Sequence, residues 1–154
     1  MKNIVLIGMP AVGKSTVGVV VAKRLGYEFV DTDLLIQKQE KRLLKEIIAQ
    51  EGNDGFLAIE NQVNRDLDVE NAVIAPGGSV VYCEEAMEHY KKTGTVVYLK
   101  VSYETIDRKN PKCEKPWSCL ERRADFKRIY NEERVLPNSK KYADYTILRG
   151  RINN

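Results

Sequence analysis

Short apolar runs alternate along the chain with longer stretches in which apolar residues recur every three or four positions. The short runs are typical of buried strands, and the longer stretches are typical of amphipathic helices. The strand candidates, each rich in Val, Ile or Tyr, are Asn3–Ile7, Tyr27–Val30, Ala72–Ala75, Thr95–Leu99 and Asp144–Leu148. The helix candidates are about Lys14–Leu25, Leu34–Gln50, Asp54–Leu67, Glu84–Lys92, Thr105–Lys109, Leu120–Arg134 and Asn138–Ala143. This alternation predicts an α/β fold in which helices cover both faces of a parallel sheet.

Composition and charge narrow the class of protein. Hydrophobic residues make up 43% and charged residues 31% of the 154 positions, which is ordinary for a soluble globular protein. The length suits one hydrophobic core, and no linker or repeat interrupts the pattern, so we predict a single domain covering residues 1–154. The net charge of +3 and the lack of a long basic run argue against a nucleic-acid partner.

The cysteines and the start of the chain indicate the cellular compartment of the protein. Cys83, Cys113 and Cys119 are odd in number and lack C-x-x-C spacing, and His89 is the only histidine. This pattern favours neither a zinc site nor a disulfide framework, and it fits a reducing compartment. The first strand follows Met1 so closely that no signal peptide fits, and no apolar run is long enough for a membrane span. We therefore expect a cytoplasmic protein without a membrane partner.

The segment Gly8–Ser15 fits the pattern G-x-x-x-x-G-K-[ST] and joins the first strand to the first helix. Backbone amides of such a loop and the N-terminus of the following helix point at one anion, so nucleotide phosphates are the expected ligand. Lys14 then contacts the outer phosphates, and the Ser15 hydroxyl binds Mg²⁺. The nucleotide-binding positions in this segment are Gly8, Ala11, Val12, Gly13, Lys14, Ser15 and Thr16. The alternative is a glycine-containing turn with a chance Lys-Ser.

Two aspartates follow the second strand, in Asp31-Thr32-Asp33. Ligands of an open parallel sheet bind beyond the carboxyl ends of its strands, so both carboxylates are expected to face the same crevice as Lys14. Asp31 is a candidate for holding Mg²⁺ through its water shell, and Asp33 for orienting a substrate hydroxyl and accepting its proton. The alternative for each is that it only caps the next helix.

The third strand ends in Ala75-Pro76-Gly77-Gly78-Ser79, without the acid that many nucleotide hydrolases have at this point. Metal binding therefore falls more heavily on Ser15 and Asp31. The Gly-Gly pair permits either a close approach of the backbone to a ligand or only a tight turn, and both interpretations stay open.

Together these residues resemble the shikimate kinases, small-molecule kinases with the nucleoside monophosphate kinase fold. The resemblance spans nearly the whole chain and rests on Gly8–Ser15, Asp31-Thr32-Asp33, Phe56 through Glu60, Gly77-Gly78, and Arg134 with Tyr142-Ala143-Asp144. It implies a three-layer α/β/α P-loop kinase fold with a five-stranded parallel sheet, a substrate-binding helical segment at about 32–67, and a short lid at about 109–118. It also implies a monomer that uses ATP and Mg²⁺ to phosphorylate a hydroxyl of a small carboxylic acid.

The resemblance also assigns individual residues. The metal-linked aspartate of the family falls on Asp31, and its aspartate for the substrate hydroxyl falls on Asp33. The arginine beside adenine falls on Arg108, and the arginine that binds the substrate carboxylate falls on Arg134. The glycines that contact substrate fall on Gly77 and Gly78, with Ser79 in place of a third.

The chain departs from the family pattern in the loop, the substrate helix and the lid. Ala11 stands at a usual glycine of the loop, which the intact G-x-x-x-x-G-K-S frame tolerates. The substrate helix of the family usually reads F-R-x-x-E, with the arginine gripping the carboxylate, and this chain has Leu57 at the arginine position. Losing such a bidentate contact costs roughly 2–3 kcal/mol of binding. Lys115, a candidate catalytic residue of the lid, keeps a positive charge but lacks the planar fork of the family's arginine.

Helical spacing defines two sides of the substrate helix. Phe56, Ile59, Val63 and Leu67 form an apolar side, whereas Leu57, Glu60, Asn61 and Asn64 lie together on a more polar side. Leu57 is therefore an apolar residue among the polar, substrate-binding positions of this helix.

The sequence predicts an ATP-dependent phosphotransferase of shikimate kinase type, whose acceptor is a hydroxyl of shikimate or of a similar small hydroxy acid. Leu57 leaves two possibilities open: either Arg134 and another cation bind the acid group alone, or the acceptor has an apolar group at that point. The alternatives to shikimate phosphorylation are a kinase for a different small polyol or hydroxy acid, and a nucleotide-binding regulatory paralogue without turnover.

Overall fold

A computed structural model describes residues 2–8, 12–101 and 135–149. The strands are β1 (Asn3–Ile7), β2 (Glu28–Asp31), β3 (Ala72–Ala75), β4 (Gly94–Val101) and β5 (Tyr145–Arg149). The helices are α1 (Lys14–Leu25), α2 (Thr32–Glu40), α3 (Leu44–Arg65), α4 (Glu84–Thr93) and α5 (Val135–Tyr142), with a 3-10 helix at Gly78–Tyr82. The predicted lid and the predicted helices at Thr105–Lys109 and Leu120–Arg134 lie outside the described residues.

The five strands form one parallel sheet in the order β2-β3-β1-β4-β5. Val5 of the central strand lies opposite Ile74 on one side and Val96 on the other. All four residues of β3 are buried, as expected for a parallel strand that is covered on both faces. The predicted three-layer α/β/α fold with a five-stranded parallel sheet is confirmed.

Two hydrophobic clusters of described residues stabilise this arrangement. The larger one surrounds the sheet and contains the fully buried side chains of Val5, Ile74 and Tyr98. The smaller one lies between α2 and α3, where Ile36 and Ile47 pack with Phe56. Helices α2 and α3 therefore form a unit with its own apolar contacts.

The helical region after β2 differs from the predicted one. Helix α2 ends at Glu40, because Lys41 adopts a left-handed conformation with φ 53°. Helix α3 begins at Leu44, where the side chain of Glu46 accepts a hydrogen bond from the Leu43 amide at 2.7 Å. It then continues through a kink at Gly52, whose φ of 73° suits a residue without a Cβ atom. The predicted boundary near residues 50–54 is thus a kink, and the break lies about ten residues earlier.

The predicted polar side of α3 faces inward. Glu60 and Asn64 are fully buried. The Asn64 side-chain amide donates to the Glu60 carbonyl at 2.7 Å, and the Tyr90 hydroxyl donates to Asn64 Oδ1 at 2.5 Å. The Ala86 amide donates to Asn61 Oδ1 at 3.1 Å. The bonds of Tyr90 and Ala86 join α4 to α3 on the side that buries Glu60.

Candidate active site

A cleft of about 310 Å³ lies at the carboxyl ends of β1, β2 and β3. It is lined by Gly13, Lys14, Ser15, Asp31, Asp33, Ala75, Pro76, Gly77 and Gly78. The lining residues lie at the ends of the three strands or soon after them. Ligands of open parallel sheets bind at this edge. The structure thus brings the glycine loop, the aspartates and the Gly-Gly pair into the single hollow that their positions in the sequence indicate.

The glycine loop shapes the anion-binding side of this cleft. Gly13 is left-handed, with φ 89° and ψ 33°, and turns the chain directly into α1. Gly13 supplies no capping side chain to the first-turn amides of α1, and this helix N-terminus lines the cleft, where such amides can donate to an anion. Lys14 Nζ donates to the Gly8 carbonyl at 2.8 Å, which holds the ammonium group over the loop. Val12 is buried beneath the loop, whereas Ser15 and Thr16 are exposed at the start of α1.

We expect Gly8→Ala to destabilise the fold by about 2–3 kcal/mol. Gly8 has φ 154°, and a Cβ atom there would lie 2.7 Å from the backbone oxygen of Leu99. Urea denaturation measures the free energy of unfolding. Gly26→Ala is the matched control, because Gly26 is left-handed (φ 69°) but its added Cβ atom would meet nothing within 4 Å. The control should cost only about 1 kcal/mol, and equal losses in both variants would contradict the steric explanation.

Asp31 combines two roles that the sequence left as alternatives. Its Oδ1 accepts from the amides of Asp33 at 3.0 Å and Leu34 at 3.4 Å, so it is the N-cap of α2. Asp31 also lines the cleft, as Ser15 does. The capping bonds fix its orientation without removing it from the candidate site.

Asp33 and Lys14 form the charged centre of the cleft. Burial raises the pKa of Asp33, the neighbouring Asp31 charge raises it further, and Lys14 lowers it. Burial lowers the pKa of Lys14 to about 8, although Asp33, Asp31 and Glu60 act in the opposite direction. Lys14 therefore carries a positive charge at neutral pH, and that charge favours the ionised form of Asp33 that a proton acceptor needs.

The backbone after β3 approaches the acids closely. A Cβ atom at Gly77 would lie 2.7 Å from Glu60 Oε1 and 2.9 Å from Asp33 Oδ1. Only glycine fits at this position without moving a carboxyl group, so the interpretation of close backbone approach applies at Gly77. Gly78 begins the 3-10 helix, and the Ser79 hydroxyl donates to Glu60 Oε2 at 2.5 Å.

Glu60 is a residue of the site to which sequence reasoning assigned no role. It lies fully buried behind Gly77, and burial raises its pKa to about 7, with a smaller upward effect from Asp33 and a downward one from the Ser79 hydrogen bond. The available signal was its place on the polar side of the substrate helix, three residues after Leu57. Periodicity alone did not show that this side packs behind the cleft.

The remaining predicted site residues divide into two groups. Leu57 packs against the main hydrophobic core, and its carbonyl accepts a hydrogen bond from the Cys83 thiol. It is not among the described residues that line the cleft. The other candidates, Ala11, Arg108, Lys115 and Arg134, lie outside the described residues.

The chemistry of the cleft fits a magnesium–nucleotide complex. The Ser15 hydroxyl and the Asp31 carboxylate offer hard oxygen ligands in the same cleft as Lys14 and the N-terminus of α1. In the described ranges no group of three His, Cys, Asp or Glu side chains is placed to enclose a metal ion. Few protein ligands suit Mg²⁺, which keeps several waters and is bound together with substrate phosphates.

The comparison with known protein families agrees with this site. The family model described as "Shikimate kinase" matches residues 10–153. The chain belongs to the shikimate kinase family. The glycine loop, the aspartate pair and the Gly-Gly turn, which meet at the cleft, are the motifs that it shares with this family.

Individual relatives give the extent of the similarity. A shikimate kinase from Clostridium botulinum (strain 657 / Type Ba4) is 44% identical over 107 residues, which are 69% of this chain and 63% of that relative. One from Persephonella marina is 38% identical over 107 residues, covering 69% of this chain and 65% of the relative. These alignments thus span less than two thirds of the length of the curated shikimate kinases.

A solved structure extends the likeness to nearly the whole fold. The shikimate kinase from Acinetobacter baumannii in complex with shikimate has a TM-score of 0.78 and 29% identity, covering 98% of this chain and 85% of the other. The shikimate kinase from Aquifex aeolicus has a TM-score of 0.73 and 29% identity, covering 95% of this chain and 85% of the other.

No helix in the described part of the chain is long and apolar enough to cross a membrane.

Proposed function

We propose that this chain transfers the γ-phosphate of ATP to a hydroxyl of shikimate. The observation that carries the proposal is that Lys14 and Asp33, from two different strand ends, line one cleft with the Gly77–Gly78 backbone. Family membership supports the reaction type, and the related kinase from Acinetobacter baumannii was solved in complex with shikimate. Within this proposal, residues 32–67 include the acceptor-binding segment and residues 109–118 form the lid of a single P-loop kinase domain.

The residues of the cleft would act mainly by positioning and by charge stabilisation, as phosphoryl transfer requires. The α1 amides and Lys14 bind phosphate oxygens and offset their negative charge. The Asp33 carboxylate orients the acceptor hydroxyl and accepts its proton, and Gly77 permits the acceptor to lie against the backbone. Ser15 and Asp31 would hold Mg²⁺ at the cleft wall. Bound Mg·ATP supplies the transferable phosphoryl group and further neutralising charge.

Arg108, Lys115 and Arg134 complete the proposed site by family resemblance. Arg108 would lie beside the adenine, Lys115 would stabilise the transferring phosphoryl group, and Arg134 would bind the acceptor carboxylate. We also propose that the enzyme acts as a cytoplasmic monomer. The net charge of +3 supports the further proposal that it has no nucleic-acid partner. A light-scattering mass of one 17.6 kDa chain is the result expected for a monomer.

The proposed reaction is tested by shikimate-dependent release of ADP from purified protein with ATP and Mg²⁺. A panel of other small polyols and hydroxy acids should be assayed in parallel, because Leu57 departs from the family pattern. Turnover of a different acceptor with none of shikimate would favour the alternative kinase. ATP binding without acceptor-dependent ADP release across the whole panel would favour the regulatory paralogue.

Leu57 itself does not line the cleft, but the family pattern has the arginine that binds the substrate carboxylate at this position. We therefore expect Leu57→Arg to lower the KM for shikimate by roughly 30-fold, because a bidentate arginine–carboxylate contact contributes about 2–3 kcal/mol. Steady-state kinetics at saturating ATP measures this change. Leu57→Met is the control, since it keeps an apolar side chain of similar volume against the main core. If the unaltered protein already binds micromolar shikimate and the arginine brings no gain, the acid group is bound without position 57.

A further inference from the structure

Ser79 stands at the position where the resemblance places a third glycine in contact with the acceptor, but its side chain is bound elsewhere. The described residues that line the cleft include Gly77 and Gly78, and Ser79 is not among them. Its hydroxyl donates to Glu60 Oε2 at 2.5 Å. This hydrogen bond joins the turn after β3 to α3, across a separation of 19 residues in the chain. The Ser79 side chain therefore connects the turn to a helix, while the glycine backbone before it lines the cleft.

Glu60 is a firm attachment point for this turn, because the protein interior surrounds it. Its side chain is fully buried. One helical turn later, the Asn64 side chain donates to the Glu60 carbonyl at 2.7 Å and accepts from the Tyr90 hydroxyl at 2.5 Å. Tyr90 belongs to α4 and is itself fully buried. The part of α3 that carries Glu60 is thus tied to α4, and the bond to Glu60 restrains Ser79 against the core.

The glycine pair depends on its neighbours for its position. Gly77 and Gly78 have no side chains, and glycine has the least restricted backbone of all residues. The Val80 amide donates to the Gly77 carbonyl at 3.2 Å, at the long end of the usual range for such bonds. Ser79 carries the first side chain after the pair, so its bond to Glu60 fixes the point at which the chain leaves the turn.

The carboxyl group of Glu60 limits the turn in both directions. A Cβ atom at Gly77 would lie 2.7 Å from Glu60 Oε1 and 2.9 Å from Asp33 Oδ1, so the backbone has little space on that side. A shift of the turn toward α3 is therefore opposed by contact with Glu60. A shift away from α3 is opposed by the hydrogen bond between Ser79 and Oε2 of the same group. Together the two effects define where the Gly77–Gly78 backbone lies in the cleft.

We propose that Ser79 is a positioning residue, whose bond to Glu60 holds the Gly77–Gly78 backbone at the part of the cleft where the acceptor binds. The proposal rests on the proposed kinase reaction, in which Gly77 permits the acceptor to lie against the backbone. A turn that is displaced from the cleft loses its contacts with the acceptor. The phosphate side of the cleft is formed by the glycine loop after β1 and not by this turn. Ser79 therefore affects the binding of the acceptor and leaves the binding of ATP unchanged.

Ser79→Ala tests the proposal, because it removes the hydroxyl group and little else. Steady-state kinetics measures the KM values for shikimate and for ATP. We expect the KM for shikimate to rise about tenfold, as for the loss of a hydrogen bond to a buried carboxyl group, and the KM for ATP to change by less than about twofold.

Two further variants at this position separate the hydroxyl from other effects. Ser79→Thr keeps a hydroxyl donor and should hold the KM for shikimate within about threefold of the unaltered protein. Ser79→Gly introduces the glycine that the family has at this position. It should raise the KM for shikimate at least as much as Ser79→Ala, because a third consecutive glycine makes the turn more flexible.

Hydrogen exchange of backbone amides measures the turn directly and without a substrate. In Ser79→Ala the Val80 amide should exchange about tenfold faster, while the amides of β3 keep their rates. Thr93→Val is the matched control, because it removes a hydroxyl bond of 2.9 Å to the His89 carbonyl at the end of α4. The control should change neither KM value nor the exchange of Val80. If Ser79→Ala does not fold, Ser79→Cys replaces it, since a thiol is a much weaker donor.

The outcomes distinguish the role of Ser79 from the proposed reaction. An unchanged KM for shikimate in an active Ser79→Ala protein would overturn the proposal and leave the kinase reaction intact. Equal rises of both KM values would also overturn it, because they indicate a general loss of structure. A higher KM without faster exchange at Val80 would show that the hydroxyl contacts the acceptor itself, against a positioning role. Faster exchange in a protein that never turns over shikimate would reject the reaction and retain the restraint on the turn.

Discussion

Replacing Asp33 by asparagine is expected to lower kcat for shikimate phosphorylation by about a thousandfold, within the range that a positioned proton acceptor contributes. Asparagine keeps the shape and one carbonyl oxygen of the side chain, but it cannot accept the proton of the acceptor hydroxyl. Asp33 lies in the first turn of α2, where its backbone amide donates to the Asp31 cap while its carboxylate lines the cleft. The helix should therefore remain capped in the variant.

The measurement is single-turnover and steady-state kinetics with ATP, Mg²⁺ and shikimate, together with the affinity for ATP. We expect ATP affinity to change little, because Lys14 and the α1 amides are intact. Asp54→Asn is the control, since Asp54 is an exposed aspartate on α3. Retention of more than a tenth of kcat by Asp33→Asn would show that proton transfer to this carboxylate is not part of the rate-limiting step.

The Lys14→Met variant should lose about a thousandfold in kcat/KM for ATP, by analogy with the loss of a preorganised charge at a reacting centre. Methionine fills a similar volume without the ammonium group. Lys14 interacts electrostatically with Asp33, Asp31 and Glu60, so its loss also removes a charge that favours ionised Asp33. Both phosphate binding and proton acceptance should therefore weaken.

Lys45→Met provides the comparison for this variant, because Lys45 is an exposed lysine in the first turn of α3. It should retain full kcat/KM. The free energy of unfolding of Lys14→Met should not fall, since the variant places an apolar side chain at a half-buried position. An active Lys14→Met protein would contradict the assignment of the glycine loop as the triphosphate site.

Periodicity and short motifs predicted much of the fold. The β1 and α1 bounds are those that the sequence predicted, because an apolar strand, a glycine loop and an amphipathic helix with Gly26 at its end are strong local signals. The helices after β2 were less well predicted. The break lies at Lys41 and the kink at Gly52, whereas α2 and α3 pack together through the smaller cluster, a contact that local spacing does not indicate.

The sequence predicted the charged residues that line the cleft, but it did not indicate the buried carboxyl group of Glu60 next to them. Asp31 and Asp33 face the cleft with Lys14, because parallel strands place their carboxyl ends at one edge. The polar side of α3 faces the protein interior, and Glu60 is therefore buried. A helical pattern shows which residues share a side but does not show which partner that side packs against.

By itself the sequence determined the order of strands and helices, the loop for phosphates and the pair of aspartates, since each depends on residues close together along the chain. Only the tertiary structure decided that Glu60 and Ser79 meet Gly77 and Asp33 at one cleft, because these residues come from α3, from α2 and from the turn after β3. The ionisation of a carboxyl group depends on its burial and on the charges around it, and these arise when distant segments pack together.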